Sequence, residues 1–177
     1  MRVRPLLALL AAPLFAACRP GGDAARDTTR AVAAAAPAAA PKPQNPDPAT
    51  NTYAPALGVN LAQFQKRPDG LYMRDDAVGK GAVAAKNKDV LVHYTGYLTD
   101  GTVFDSSRDR GKPIGFTLGQ EQVIAGWDEG IEGMRVGGKR TLVVPPTLGY
   151  GPGGQPGIPG NAVLVFKVEL VGIGVGS

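Results

Sequence analysis

One cysteine (Cys18) and one histidine (His93) are all that the 177 residues hold of the two side chains that most often bind transition metals. A lone cysteine excludes a disulfide within the chain, and with one histidine a Cys/His metal cluster is excluded by count. No D-x-D-x-D-G string offers a calcium loop, so no metal or other cofactor is expected. Charge is scarce too. Charged residues make up 19% of the chain, the formal net charge is +4, and two of the positive charges, Arg2 and Arg4, sit in the opening segment. With no run of basic residues, a nucleic-acid partner is not expected. The hydrophobic fraction of 44% is that of a globular chain, and the length fits one domain able to bury a core.

What is present begins with MRVRPLLALLAAPLFAAC. Arg2 and Arg4 form a positive start, and Leu6 to Ala16 an apolar stretch too short to span a bilayer as a stable helix, which together read as an export signal over 1–17. Its end, Phe15-Ala16-Ala17-Cys18, resembles a bacterial lipobox, with Phe15 where leucine is usual. That resemblance implies cleavage before Cys18 and a lipid on its sulfur. The alternative is an ordinary signal peptide that leaves Cys18 a free thiol. Residue 19 is Arg rather than the Asp that retains lipoproteins in the inner membrane, so the implied location is the outer membrane or periplasm. Residues 18–56 are rich in Ala and Pro and lack apolar periodicity, so they read as an extended spacer. Leu57, Val59, Leu61 and Phe64 suggest a short segment (57–69) packed on the body that follows.

The folded part is expected over 70–173, with a tail at 174–177. DVLVHYTGYL (89–98) alternates, placing Val90, Val92 and Tyr94 on one face and Leu91, His93 and Thr95 on the other. LYMR (71–74), IGFTL (114–118), KRTLVVP (139–145) and AVLVFKVELVGI (162–173) read as further strands, the last two rich in β-branched residues, and TDG (99–101) reads as a turn followed by TVFDSS. One segment has helical spacing: Ile124, Trp127, Ile131 and Met134 form a stripe that ends near Met134, with Asp128, Glu129 and Glu132 facing away. The pattern predicts an α+β domain, an antiparallel sheet with one short helix on a face.

Two strings imitate nucleotide loops. GMRVGGKR (133–140) has the G-x-x-x-x-G-K spacing, and GYGPGGQPGIPG (149–160) contains G-x-G-x-x-G. Both lack the required context. The first follows a helix and precedes a strand, the reverse of a phosphate loop, and has Arg140 where a metal-binding hydroxyl belongs. The second leads into a strand, and Pro152, Pro156 and Pro159 remove N–H donors that a pyrophosphate needs. His93, Asp105 and Ser106 or Ser107 supply triad residue types, but no G-x-S-x-G elbow presents a nucleophile, and His93 on an alternating strand reads as a core or rim side chain.

VHYTGYLTDGTVFDSSRDRGKPIGFTLG, VIAGWDEGIEGMRVGGKRTLVVPPTLGYG and NAVLVFKVELV, taken in this order, closely resemble the FKBP-type peptidyl-prolyl cis-trans isomerases over roughly Gly70 to Ile173. The resemblance implies a twisted antiparallel sheet wrapped on one short helix, and rotation about X-Pro peptide bonds. It also implies a proline pocket. Asp105, Tyr94, Tyr150 and Trp127 would carry catalysis, and Phe104, Arg110, Phe116, Val123, Ile124, Ile158 and Phe166 would bind substrate. Ile114, Gln122 and Gln155 depart from the family's usual residues at the rim. The implied partners are X-Pro polypeptides, with rapamycin-type macrolides as inhibitors and the membrane reached through the lipid anchor. A non-catalytic proline-binding or chaperone module using the same pocket is the competing reading. The proline-rich spacer cannot form a helical dimerisation region, so a monomer is expected.

Overall fold

The computed structural model describes residues 45–174. The expected export signal, Cys18, the expected spacer as far as residue 44 and residues 175–177 lie outside them. Seven strands form one antiparallel sheet: β1 (Gln65–Lys66), β2 (Tyr72–Ala77), β3 (Asp89–Leu98), β4 (Val103–Ser106), β5 (Ile114–Thr117), β6 (Lys139–Val144) and β7 (Leu164–Gly174). Their order is β1-β2-β6-β7-β3-β4, and β5 pairs with the opening residues of β3. The long pairing of β3 with β7 runs from Asp89↔Gly174 to Leu98↔Leu164 and forms the spine of the sheet.

Alternation decides which face each side chain enters. In β3, Val90, Val92 and Tyr94 are buried while Leu91 is 43% exposed, as the sequence pattern predicts. Leu142 and Val144 of β6, with Leu164 and Phe166 of β7, enter the main core, and Val143 and Val165 between them enter a second cluster on the opposite face. The single helix, α1 (Ala125–Ile131), lies on the main-core face with Trp127 and Ile131 buried. Its approach depends on two glycines. A β-carbon at Gly126 would stand 2.6 Å from Val144 Cγ1, and one at Gly130 would stand 2.7 Å from Leu142 Cδ1.

Two expectations are corrected. The helix stops at Ile131 rather than near Met134, because the chain turns through the left-handed Gly133 (φ 80°) and Arg140 takes over the exposed carbonyls. Arg140 Nη1 donates to Gly130 O at 2.7 Å and to Glu132 O at 3.3 Å, which caps the helix end, while its other nitrogens bind Asp75. Met134 still reaches the core, but from the turn. The spacer also gives way to packed chain well before residue 56. Pro48 and Pro55 open short 3₁₀ turns (Pro48–Thr50 and Pro55–Leu57) instead of merely extending the chain. Tyr53 Oη donates to Pro48 O at 2.7 Å, and the Ala54 N–H donates to Thr99 O at 2.8 Å on the β3–β4 turn. A third 3₁₀ turn (Leu61–Gln63) leads to β1. Leu57 and Phe64 bury themselves against Tyr72, Val143, Val163 and Val165, so residues 48–66 form a strap over the back of the sheet.

Candidate functional site

On the α1 face the sheet does not close. Tyr94 (β3), Phe104 and Asp105 (β4), Val123 and Ile124 (the approach to α1), Trp127 (α1), Tyr150 (after β6) and Phe166 (β7) line a cavity of about 180 Å³. Strand parity explains the convergence. Tyr94 and Phe166 point inward from the two central strands, and Gly96, two residues after Tyr94, leaves room beside them: a β-carbon there would stand 2.6 Å from the Phe104 ring and 3.0 Å from the Phe166 ring. Trp127 sits at the centre of the aromatic cluster. Its ring centroid is 4.7 Å from Tyr94, 5.3 Å from Phe166 and 5.9 Å from Phe116, with the first two edge-to-face. The Trp127 indole Nε1 is buried with no acceptor among the described residues.

The polar side of the cavity is a three-residue network. Tyr94 Oη donates to Asp105 Oδ2, Arg110 Nη1 donates to Asp105 Oδ1, and Arg110 Nη2 donates to Tyr94 Oη at 2.7 Å. The Arg110 guanidinium also lies over the Tyr94 ring at 5.6 Å. Burial pushes the Asp105 carboxyl up, but the donors Tyr94 and Arg110 outweigh it and hold the group below its ordinary value. Tyr94 moves the other way. Burial and its bond to the Asp105 carboxylate raise it, with Arg110 opposing. Burial and the Asp105 charge also raise Tyr150. At neutral pH the site therefore holds one carboxylate and two neutral phenols.

Two donors at the cavity are unspent: neither the Ile124 N–H nor the Tyr150 hydroxyl has a partner among the described residues. Ile124 is the residue before the first turn of α1, in an extended conformation (φ −61°, ψ 145°) that leaves its N–H outside the helix ladder.

Of the expected site residues, three stand off the cavity wall. Phe116 packs behind Trp127 as a second layer, 7% exposed. Arg110 is exposed and acts through Asp105 and Tyr94. Ile158 is 8% exposed and packs in the main core, outside the residues that line the cavity. Gln155 and Ile158 exchange N–H···O bonds of 2.9 and 2.7 Å across Pro156-Gly157, which makes a tight bend in the loop. Ile114 and Gln122, noted from sequence only as departures at the rim, do line the cavity. Gly96, Gly126 and Gly130 were missed, though a glycine inside a strand or helix is itself a signal of close approach.

The competing chemistries fail on geometry. Ser107 is fully buried, its Oγ accepts the Tyr94 N–H at 2.8 Å, and His93 Nδ1 lies 3.1 Å from it. Asp105 is committed to Tyr94 and Arg110, so no triad forms. Arg140, the last residue of the phosphate-loop string, is spent on Asp75 and the end of α1.

The sequence model of the family described as FKBP-type peptidyl-prolyl cis-trans isomerase matches residues 81–171. A FK506-binding protein of Neisseria meningitidis serogroup B is 53% identical over 103 residues, covering 58% of this chain and 94% of that one. FK506-binding protein 1A of Neurospora crassa is 50% identical over 107 residues, covering 59% of this chain and 89% of its own. The crystal structure of AtFKBP13 superposes with a TM-score of 0.59 at 44% identity, covering 63% of this chain and 98% of that one. FkpA from Escherichia coli gives the same TM-score at 43% identity, with 63% of this chain matched to 51% of FkpA. The cavity thus falls within the matched segment, and the chain belongs to the FKBP-type peptidyl-prolyl cis-trans isomerases.

Proposed function

We propose that this isomerase is an exported lipoprotein that turns X-Pro bonds of proteins in the bacterial cell envelope, tethered through Cys18, and that the cavity around Trp127 holds the proline ring. Rotation about an X-Pro bond is slow because amide resonance must be broken, and uncatalysed it takes tens to hundreds of seconds. No bond to a partner is made, so what lowers the barrier is a site that favours the twisted amide over the planar one. Trp127 supports the proline ring from below, with Tyr94, Phe104, Phe166, Val123 and Ile124 as apolar walls. These walls strip water from the imide carbonyl, and that water favours the planar, polarised form.

The single observation that carries these roles is the pair of unspent donors, the Ile124 N–H and the Tyr150 hydroxyl, beside a carboxylate held ionised. The two donors hold carbonyls of the substrate backbone on either side of the proline. Asp105, kept charged and oriented by Arg110 and Tyr94, supplies a fixed field at the twisting carbonyl. Rapamycin-type macrolides would occupy the same cavity as inhibitors. The tether reading rests on the positive start, the short apolar stretch and the small residues before Cys18. The proline-rich segment after it gives the domain reach, as a monomer, from the outer-membrane surface.

An X-Pro isomerisation assay on residues 45–177, with and without a rapamycin-type macrolide, tests the cavity. Acceleration that the macrolide abolishes supports it, and binding of a proline peptide with no acceleration would favour the non-catalytic module instead. Membrane fractionation of Cys18→Ala tests the tether: release from the membrane supports it, and unchanged partitioning refutes it.

A further inference from the structure

Asp128 lies in the first turn of α1 and is not part of the cavity wall. Its carboxylate is spent on the loop that precedes the helix: Oδ1 accepts the Gly119 N–H at 2.7 Å and Oδ2 accepts the Glu121 N–H at 3.2 Å. That loop runs from β5 to the two residues that wall the cavity, Val123 and Ile124. It bends through two left-handed positions, Gly119 (φ 78°) and Glu121 (φ 54°). Glycine adopts this conformation freely, but a glutamate needs outside support to stay there. The backbone supplies none, because no backbone–backbone hydrogen bond involves residues 119–123. Besides Asp128, the loop's ties are side-chain bonds: Gln122 Oε1 accepts the Thr117 N–H at 3.1 Å, and Gln120 Nε2 donates to Asn87 Oδ1 at 2.7 Å. The helix itself begins at Ala125, and Ile124 before it provides no side-chain cap.

We propose that Asp128 is a positioning residue for the isomerase reaction, fixing through Gly119 and Glu121 the bend that aims the Ile124 N–H into the cavity. The inference rests on the reading of that N–H as the donor to a substrate carbonyl. A carboxylate suits the task because both of its oxygens accept. An asparagine at the same place keeps one acceptor and turns an NH₂ group toward a second N–H, donor against donor. The two variants are therefore graded, with Asp128→Asn weakening one tie and Asp128→Ala removing both. A carbonyl held equally in the ground and transition states contributes to KM and not to kcat.

The test measures kcat and KM for a proline-containing peptide on the full chain and on Asp128→Asn, Asp128→Ala and Ile124→Pro. Amide hydrogen exchange is followed in parallel. The φ of −61° at Ile124 accommodates proline, which removes the N–H. The expected result is a KM raised roughly tenfold in Asp128→Ala, the scale of a lost hydrogen bond to a charged group, with a smaller rise in Asp128→Asn and kcat within about twofold. Exchange should quicken at Gly119 and Glu121 and stay unchanged along β3. Faster exchange at those two amides with an unaltered KM would overturn the proposal, as would a fall in kcat at constant KM. If Asp128→Ala does not fold, the Asp128→Asn values decide by the same criteria. An Ile124→Pro variant with the parent KM would overturn the underlying reading of the N–H. An impaired Ile124→Pro beside a silent Asp128→Ala would remove only the positioning role.

Discussion

The two faces of the sheet are covered in different ways. On the strap side, Val143, Val163 and Val165 meet Leu57 and Phe64, and the strap ties itself down by the Tyr53–Pro48 and Ala54–Thr99 hydrogen bonds. On the α1 side, Leu142, Val144, Leu164 and Phe166 meet one seven-residue helix and a group of aromatic rings, and the layer leaves a cavity with two unspent donors. Close packing favours stability, whereas a site needs room and unpaired polar groups. The strap face therefore stabilises the sheet on which the α1 face keeps its cavity.

The sharpest way to break this division is to cut into the strap. Phe64→Ala should cost about 3–5 kcal/mol, the usual range for a large buried aromatic, measured by denaturant unfolding. Its kcat/KM per folded molecule should stay within about twofold of the parent. A matching loss of activity would mean that the strap helps shape the cavity. Asp105→Ala is the converse. It should lower kcat/KM by about 10- to 100-fold, equivalent to about 1.4–2.7 kcal/mol of transition-state stabilisation. It should shift the unfolding midpoint little, because Asp105 is part-exposed and its pairing with Arg110 is screened by solvent. Tyr150→Phe is a smaller perturbation, removing one hydroxyl and no packing. Its kcat/KM should fall by about fivefold, on the order of 1 kcal/mol for one hydrogen bond.

The pH dependence gives the smallest expected effect. Asp105 lies below its ordinary 3.8, and Tyr94 and Tyr150 lie above their ordinary 10.0. The kcat/KM profile should then be flat from about pH 5 to pH 9. An inflection inside that range would contradict the protonation states assigned to Asp105, Tyr94 and Tyr150. The stability that Asp105 contributes follows the same sign. A depressed folded value means that it is fully present above the unfolded value and fades as pH falls through the folded one, so unfolding should become easier only below about pH 4.

How much of this was legible in the sequence differs between the faces. β3, β6 and β7 announce themselves by alternation and β-branched residues, and the Trp127–Ile131 stripe marks the helix, because all of these place apolar side chains at regular spacing. The aromatic lining was legible only through the joint order of the motifs, since any one of Tyr94, Phe104 or Phe166 alone reads as core. The second half of the strap was legible, because Leu57, Val59, Leu61 and Phe64 mark a segment that packs on the body, but its first half was not. Pro48 and Pro55 look like spacer prolines, and only tertiary contacts reveal that they open turns. Gly96, Gly126 and Gly130 act through the side chains they lack, so their importance shows only against Phe104, Val144 and Leu142.

The measurement that bears most directly on this division of labour is the catalysed rate of X-Pro isomerisation by residues 45–177, compared among the parent, Asp105→Ala and Phe64→Ala at temperatures where all three are folded. The cavity on the α1 face predicts a parent rate far above the uncatalysed one, a deep loss in Asp105→Ala and a rate close to the parent in Phe64→Ala. A parent rate no higher than the uncatalysed one, or a rate lost in Phe64→Ala and kept in Asp105→Ala, would contradict it.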